Sequence, residues 1–273
     1  MRLWWLAWLM LAMGCAKPRG PMVPVGDPEV VVALARSRPM VDALNGRFSL
    51  TLDTGKREVT VPVSMLLDHP DRFRIEVYSP FGTPLVTSTS NGSALHVWSQ
   101  RDRVFYAGNE AEAVLKRITG GEVGIEDFLA ILTGKLPLPD AEILHIGRMV
   151  FEDDGVVIVM LGPDDIRVRA VIDPKTGLVR QLRVDPPSDD AGYTEPTGEP
   201  ILQVTYSGQV REGKTIFPQT IDVQMPRIGW AVSLNAKRWA ALTEAPEAFD
   251  MSAPAGASIK DLRETLEEMA TQN

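Results

Sequence analysis

From Gly46 to Trp239 the apolar residues recur at every second position in run after run, and this alternation constrains the fold more than any other feature of the chain. A period of two places successive side chains on opposite faces of a strand, so each run describes a half-buried β-strand. Phe48, Leu50 and Leu52 alternate with Arg47, Ser49, Thr51 and Asp53; after a turn at Asp53-Thr54-Gly55-Lys56 come Val59, Val61, Val63, Met65 and Leu67, then Phe73, Ile75 and Val77 between Arg72, Arg74 and Glu76. Residues 83–90, 94–99 and 103–106 extend this antiparallel meander, with Asn91-Gly92 as a hairpin signal. Strands resume at 143–152, 156–161, 166–173 and 178–184 and again, after a polar loop over 185–200, at 201–207, 215–225 and 230–239. The fold class is therefore α+β and mainly antiparallel β. No repeat of 20 to 50 residues runs through it, which argues against a propeller or solenoid.

Helical spacing is confined to a few segments. Asp27-Pro28 reads as an N-cap with proline at the first position, followed by Val30, Val31, Leu34, Val41 and Leu44, with Pro39 expected to kink or split the helix. A short helix is expected from Asn109 through Arg117. Ile125, Phe128, Leu129 and Leu132 fall at i, i+3, i+4 and i+7 and are terminated by Gly134, Pro137 and Pro139. Ser258 to Asp261 resembles a capping box opening a tail helix, with Ile259, Leu262, Leu266 and Met269 along one face; it either docks on the body or binds a partner.

Before the first strand, one basic residue, Arg2, precedes an apolar run from Leu3 to Gly14 that is too short to cross a bilayer and has the layout of a secretion signal. It ends in Leu11-Ala12-Met13-Gly14-Cys15, which resembles the lipobox of bacterial lipoproteins. Cys15 is the only cysteine in the 273 residues, so the exported chain has no intramolecular disulfide, and acylation of Cys15 gives it a purpose. Ala16 rather than aspartate after Cys15 favours the outer membrane, by resemblance to the sorting rule of enteric bacteria. The division expected is a signal over 1–14, a Pro/Gly-rich tether over 15–28, a folded body over 29–257 and an amphipathic helix over 258–273.

The formal charge of −8 and pI near 5.0 make nucleic acid an improbable partner. Gly208-Gln-Val-Arg-Glu-Gly213-Lys214-Thr215 matches the phosphate-loop pattern by letter, but that loop needs a helix directly after it, and Ile216-Phe217-Pro218 returns to β alternation. A hairpin is expected there, not a nucleotide site. His69, His96 and His145 lack metal-site spacing, and the acid pairs at Asp153-Asp154, Asp164-Asp165 and Asp189-Asp190 lie beside turns without the spacing of a calcium loop. No catalytic constellation, metal site or cofactor is expected.

An apolar residue at the tip of a tight connection is unusual, and Ser79-Pro80-Phe81-Gly82 places Phe81 there, either folded back on the core or projecting toward a bilayer or partner. Taken in order, the lipobox, a leading helix, Gly46-Arg47-Phe48, the Ser79 to Gly82 connection, the Gly124 to Gly134 helix, Tyr206, Lys214-Thr215-Ile216-Phe217-Pro218, Asn235 and the Phe249 to Ala257 close resemble the LolB receptor and its LolA-like relatives. That resemblance implies a curved, incomplete barrel covered by helices. Its apolar hollow accepts acyl chains of lipoproteins or lipids handed on by a periplasmic carrier, and the Phe81 loop touches the membrane. Cavity candidates are Phe48, Leu50, Val61, Val63, Ile75, Val77, Leu95, Val97, Ile125, Phe128, Leu129 and Leu132, although strand parity alone does not choose their face. The competing expectation is a non-enzymatic scaffold of an envelope assembly whose hollow is filled by its own side chains.

Overall fold

A computed structural model of the chain describes residues 28–38, 43–109, 111, 124–137, 142–148, 155–162, 165–187, 198–242 and 248–271. Helix α1 (Pro28–Ser37) leads into β1 (Ala43–Asp53), β2 (Glu58–Asp68), β3 (Arg72–Tyr78), β4 (Pro84–Asn91), β5 (Leu95–Ser99) and β6 (Val104–Gly108). After α2 (Ile125–Thr133) come β7 (Glu142–Arg148), β8 (Val156–Leu161), β9 (Arg167–Ile172), β10 (Val179–Asp185), β11 (Leu202–Glu212), β12 (Thr215–Met225) and β13 (Trp230–Leu242). The chain continues into β14 (Ser258–Asp261) and α3 (Leu262–Thr271).

The fourteen strands of the described residues form one sheet, in the order β14-β6-β5-β4-β3-β2-β1-β13-β12-β11-β10-β9-β8-β7. The two meanders run outward from a seam where β1 pairs with β13, and among the described residues no pairing joins β14 to β7. The sheet is curled and unclosed. Neighbours are antiparallel throughout, apart from β14, which lies parallel to β6.

At the seam the register slips between Arg47 and Phe48: Arg47 opposes Arg238 and Phe48 opposes Ala236, leaving Lys237 as the extra residue of a bulge. Phe48 packs edge-on against Trp239 with ring centroids 4.8 Å apart, and Trp239 stacks on Phe217 at 4.9 Å while its indole N–H donates to Pro218 O. Gly46 makes room for this cluster; a Cβ there would lie 2.5 Å from Phe48 Cε2.

Helix α2 begins at Gly124, whose N–H donates to Asp127 Oδ2, and ends at Gly134 in the left-handed region, with the Lys135 N–H donating to Ala130 O. The buried Tyr206 hydroxyl donates to Ile131 O at 2.9 Å and fastens α2 to β11. A second fastening joins the end of α1 to the same place. The Arg38 guanidinium donates to Gly134 O and Ile216 O, and Lys135 Nζ donates to Arg38 O at 3.0 Å. Burial lowers the pKa of Arg38 to about 10; burial and then the Arg38 charge lower that of Lys135 to about 8.

Several expectations are corrected. Helix α1 stops at Ser37, and Leu44 belongs to β1, because the chain must already be extended at Ala43 to pair with both Asp68 and Leu242. Its buried face is Val31, Val32 and Ala35, while Val30 and Leu34 are exposed. Residues 258–261 form β14 instead of opening the tail helix: β6 offers an unpaired backbone edge there, and the Ser258 N–H donates to Arg103 O. The helix starts at Leu262, capped by Asp261 Oδ1, which accepts the N–H groups of Arg263 and Glu264. Ile259 is exposed and Leu262 is buried; the side chains of Leu266 and Met269 lie outside the described residues. So does all of the helix expected over Asn109–Arg117 except Asn109 and the buried Ala111.

Candidate functional site

The alternation divides the sheet into an inner face, which holds the core, and an outer face. All the cavity candidates lie on the inner side. Phe48, Val63, Leu95, Ile125, Leu129 and Leu132 are buried within one continuous cluster, and Leu50, Val61, Ile75, Val77, Val97 and Phe128 are partly buried against it. Phe128 of α2 meets Phe73 of β3 with centroids 5.7 Å apart, so the helix lies against the same face as the strands.

The two halves of this face differ. Around β8 to β12, Ile158, Met160, Ala170, Ile172 and Val204 are 0% exposed, which is a filled core. Around β1, β2, β3 and β5 the inner-facing residues Leu50, Val61, Ile75, Val77 and Val97 remain only half-buried. Strands β12 and β13 continue the half-buried apolar stripe with Val223, Met225 and Val232. That half presents apolar surface that the chain's own side chains leave partly uncovered.

Phe81 is 95% exposed and does not fold back on the core. The loop that carries it is internally braced. Ser79 Oγ accepts the N–H groups of Phe81 and Thr83 at 3.2 Å each, Ser79 O accepts the Gly82 N–H, and the Ser79 N–H donates to Thr83 O at 2.8 Å. Gly82 takes φ +82°, a conformation a side chain would resist.

The phosphate-loop pattern is a hairpin, as its sequence context implies: Glu212 pairs with Thr215 across Gly213-Lys214, and no helix follows. His96 lies 5.2 Å from the Phe105 ring, and His145 is exposed. Among the described residues no group of histidines, cysteines and carboxylates could hold a metal, and no helix is long and apolar enough to cross a membrane. Cys15 lies outside the described residues.

One feature escaped the sequence reading. On the outer face, beside the Phe81 loop, a cavity of about 600 Å³ is lined by Asn45, Arg47, Pro62, Ser64, Tyr78 and Lys237 together with Ser79, Pro80 and Gly82, and Phe48 and Val63 also contribute to its wall. Alternation reads Arg47 and Lys237 as ordinary solvent-facing residues; the bulge that brings them together depends on a long-range pairing. Next to this cavity, burial works to raise the pKa of Glu76, but hydrogen bonds from Tyr78 and Arg74 outweigh it and hold the carboxylate below its usual range.

No protein-family model matches the chain, and no curated protein matches it in sequence. Solved structures do match it in shape. A DUF1329 family protein from Desulfovibrio piger superposes with a TM-score of 0.59 at 12% identity, covering 83% of this chain and 99% of that one. A LolA superfamily protein from Nitrosomonas europaea gives 0.55 at 11% identity, over 82% and 97% of the two chains. The chain has a LolA-like fold. A third structure with this LolA-like fold, a putative outer membrane lipoprotein-sorting protein domain from Vibrio parahaemolyticus, gives 0.54 at 11% identity over 81% of this chain and 96% of that one. At these identities the likeness concerns the fold; chemistry has to be argued from the site.

Proposed function

We propose that this chain is an outer-membrane lipoprotein, anchored through acylated Cys15, whose inner face binds acyl chains of lipoproteins or lipids and whose Phe81 loop touches the membrane. It acts as a carrier or receptor and not as an enzyme. The observation that carries the reading is the half-buried apolar stripe of Leu50, Val61, Ile75, Val77 and Val97 on the inner face of an unclosed sheet. The name of the Vibrio parahaemolyticus neighbour, a lipoprotein-sorting domain, agrees with it.

The physics is that of exchange between like surroundings. An acyl chain moving from a bilayer onto this stripe leaves one apolar medium for another, whereas crossing water would cost about 0.8 kcal/mol per CH₂. The handover is then close to neutral and reversible, and no nucleotide is required. The covering of the inner face by α2 sets how much of the chain's length is shielded.

Uptake of a fluorescent fatty acid tests this. The full chain should bind it, and Val77→Trp, which fills space without burying a charge, should weaken uptake while thermal unfolding stays near that of the parent. Undiminished uptake in Val77→Trp would contradict the assignment of the inner face. A scaffold reading draws on the other half of the sheet, where Ile158, Met160 and Ile172 leave no uncovered apolar surface; it predicts no uptake by the parent chain.

A further inference from the structure

The outer-face cavity beside Phe81 combines an electrostatic anomaly with a location. Arg47 and Arg238 stand directly opposite each other across β1 and β13, and Lys237 occupies the bulge between them. Like charges placed opposite in a sheet are destabilising, and a bulge concentrates them. The chain as a whole is acidic, with net charge −8, yet no carboxylate lines either this cavity or the smaller one of about 230 Å³ formed by Asn45, Arg47 and Arg238. All three cations are exposed, and among the described residues none has an ion-pair partner; Lys237 Nζ donates to the neutral Asn235 Oδ1 at 3.1 Å. Glu76, which bonds the cavity-lining Tyr78, is engaged by Arg74, whose Nη2 donates to Oε1 at 2.6 Å, and by the Tyr78 hydroxyl.

Two of these cations without counter-charge, Arg47 and Lys237, therefore line a hollow together with the loop that holds Phe81 out from the body, and Arg238 adjoins them through the smaller cavity it shares with Arg47. We propose that Arg47, Lys237 and Arg238 bind the phosphates of anionic phospholipid headgroups while Phe81 enters the acyl region. The occupant is the bilayer surface, because an exposed apolar probe beside a cation cluster matches an amphipathic partner with phosphate above hydrocarbon. A soluble anion would use the cations and leave Phe81 in water. The proposal deepens the membrane-contact reading of the Phe81 loop and rests on it.

Hydrogen–deuterium exchange on the full chain tests both layers. The chain is placed in vesicles of phosphatidylethanolamine with phosphatidylglycerol and, separately, of phosphatidylcholine alone, and amides 79–83 and 235–240 are followed. On the anionic vesicles both segments should gain protection that added salt reverses. Arg47→Gln with Lys237→Gln should weaken docking by about 30-fold, reckoned from the contribution of each cation near an anionic surface. Both sites are exposed, so the fold should survive, which a thermal melt checks. Phe81→Glu should remove protection of the loop on both lipids. Equal protection on both lipids that Phe81→Glu alone removes would overturn the headgroup assignment and keep the membrane contact; no protection on either lipid would overturn both.

Discussion

Gly46→Ala isolates the packing at the seam that gives the inner face its shape. The added Cβ would lie 2.5 and 2.8 Å from Phe48 Cε2 and Cζ and 3.2 Å from Trp239 Cε3, where carbon atoms prefer about 3.5 to 4.0 Å. The Phe48 ring has to withdraw by about 1 Å to restore that spacing. It is 3% exposed and braced edge-on by Trp239, itself 2% exposed and stacked on Phe217, so the displacement spreads through three buried rings. Overpacking of this kind costs about 1 to 3 kcal/mol, and removing a strand glycine returns about 0.5 to 1 kcal/mol of chain entropy. The net loss is about 0 to 2.5 kcal/mol, centred near 1 kcal/mol, which is a fall in Tm of roughly 2 to 4 °C for a body of this size. Calorimetry reads it directly, and a Phe48→Leu background supplies the control, since removing the ring should make Gly46→Ala nearly neutral. Equal costs in the two backgrounds, or a stabilised single variant, would refute the packing argument.

Lys135 provides a pH signature. Its folded pKa of about 8 lies below the ordinary 10.5, so between those values the unfolded chain binds more protons and stability rises with pH. Lys135→Met should flatten that rise in urea unfolding midpoints measured from pH 8 upward; an unchanged slope would assign it elsewhere. Tyr206→Phe removes the hydroxyl that donates to Ile131 O, a carbonyl that also accepts the Gly134 N–H, so the loss should be about 1 kcal/mol, visible in the urea midpoint. Phe81→Glu should leave that midpoint unchanged, because the side chain is 95% exposed, while membrane delivery of cargo by the chain falls; a lower midpoint would mean that the loop packs on the body.

Much of the sheet was legible because its alternation is local. The hairpin at Asn91-Gly92, the end of α2 at Gly134 and the failure of the Gly208 to Thr215 pattern as a phosphate loop all follow from residues close in sequence. Where pairing between distant segments decides the outcome, local pattern fails. Ser258 to Asp261 has the letters of a helix cap, yet it becomes a strand because β6 presents an open edge. Leu44 fits a helical spacing but is drawn into β1 by partners on either side, Leu67 and Ala241. The cation cluster was hidden for the same reason: alternation places Arg47 and Arg238 on a solvent face but says nothing about their standing opposite each other. Parity within each strand groups the inner-face candidates but says nothing of how deeply each is covered: Phe48, Val63 and Leu95 are buried, whereas Leu50, Val61, Ile75, Val77 and Val97 stay partly covered.

The claim on which the rest depends is that the stripe between Leu50 and Val97 holds acyl chains. Native mass spectrometry of the full chain, exported and purified without added lipid, addresses it most directly. Bound species in the mass range of lipids or acylated peptides, diminished by Val77→Trp, are expected; a parent chain that always emerges at the mass of its polypeptide and anchor alone would contradict acyl binding by this stripe.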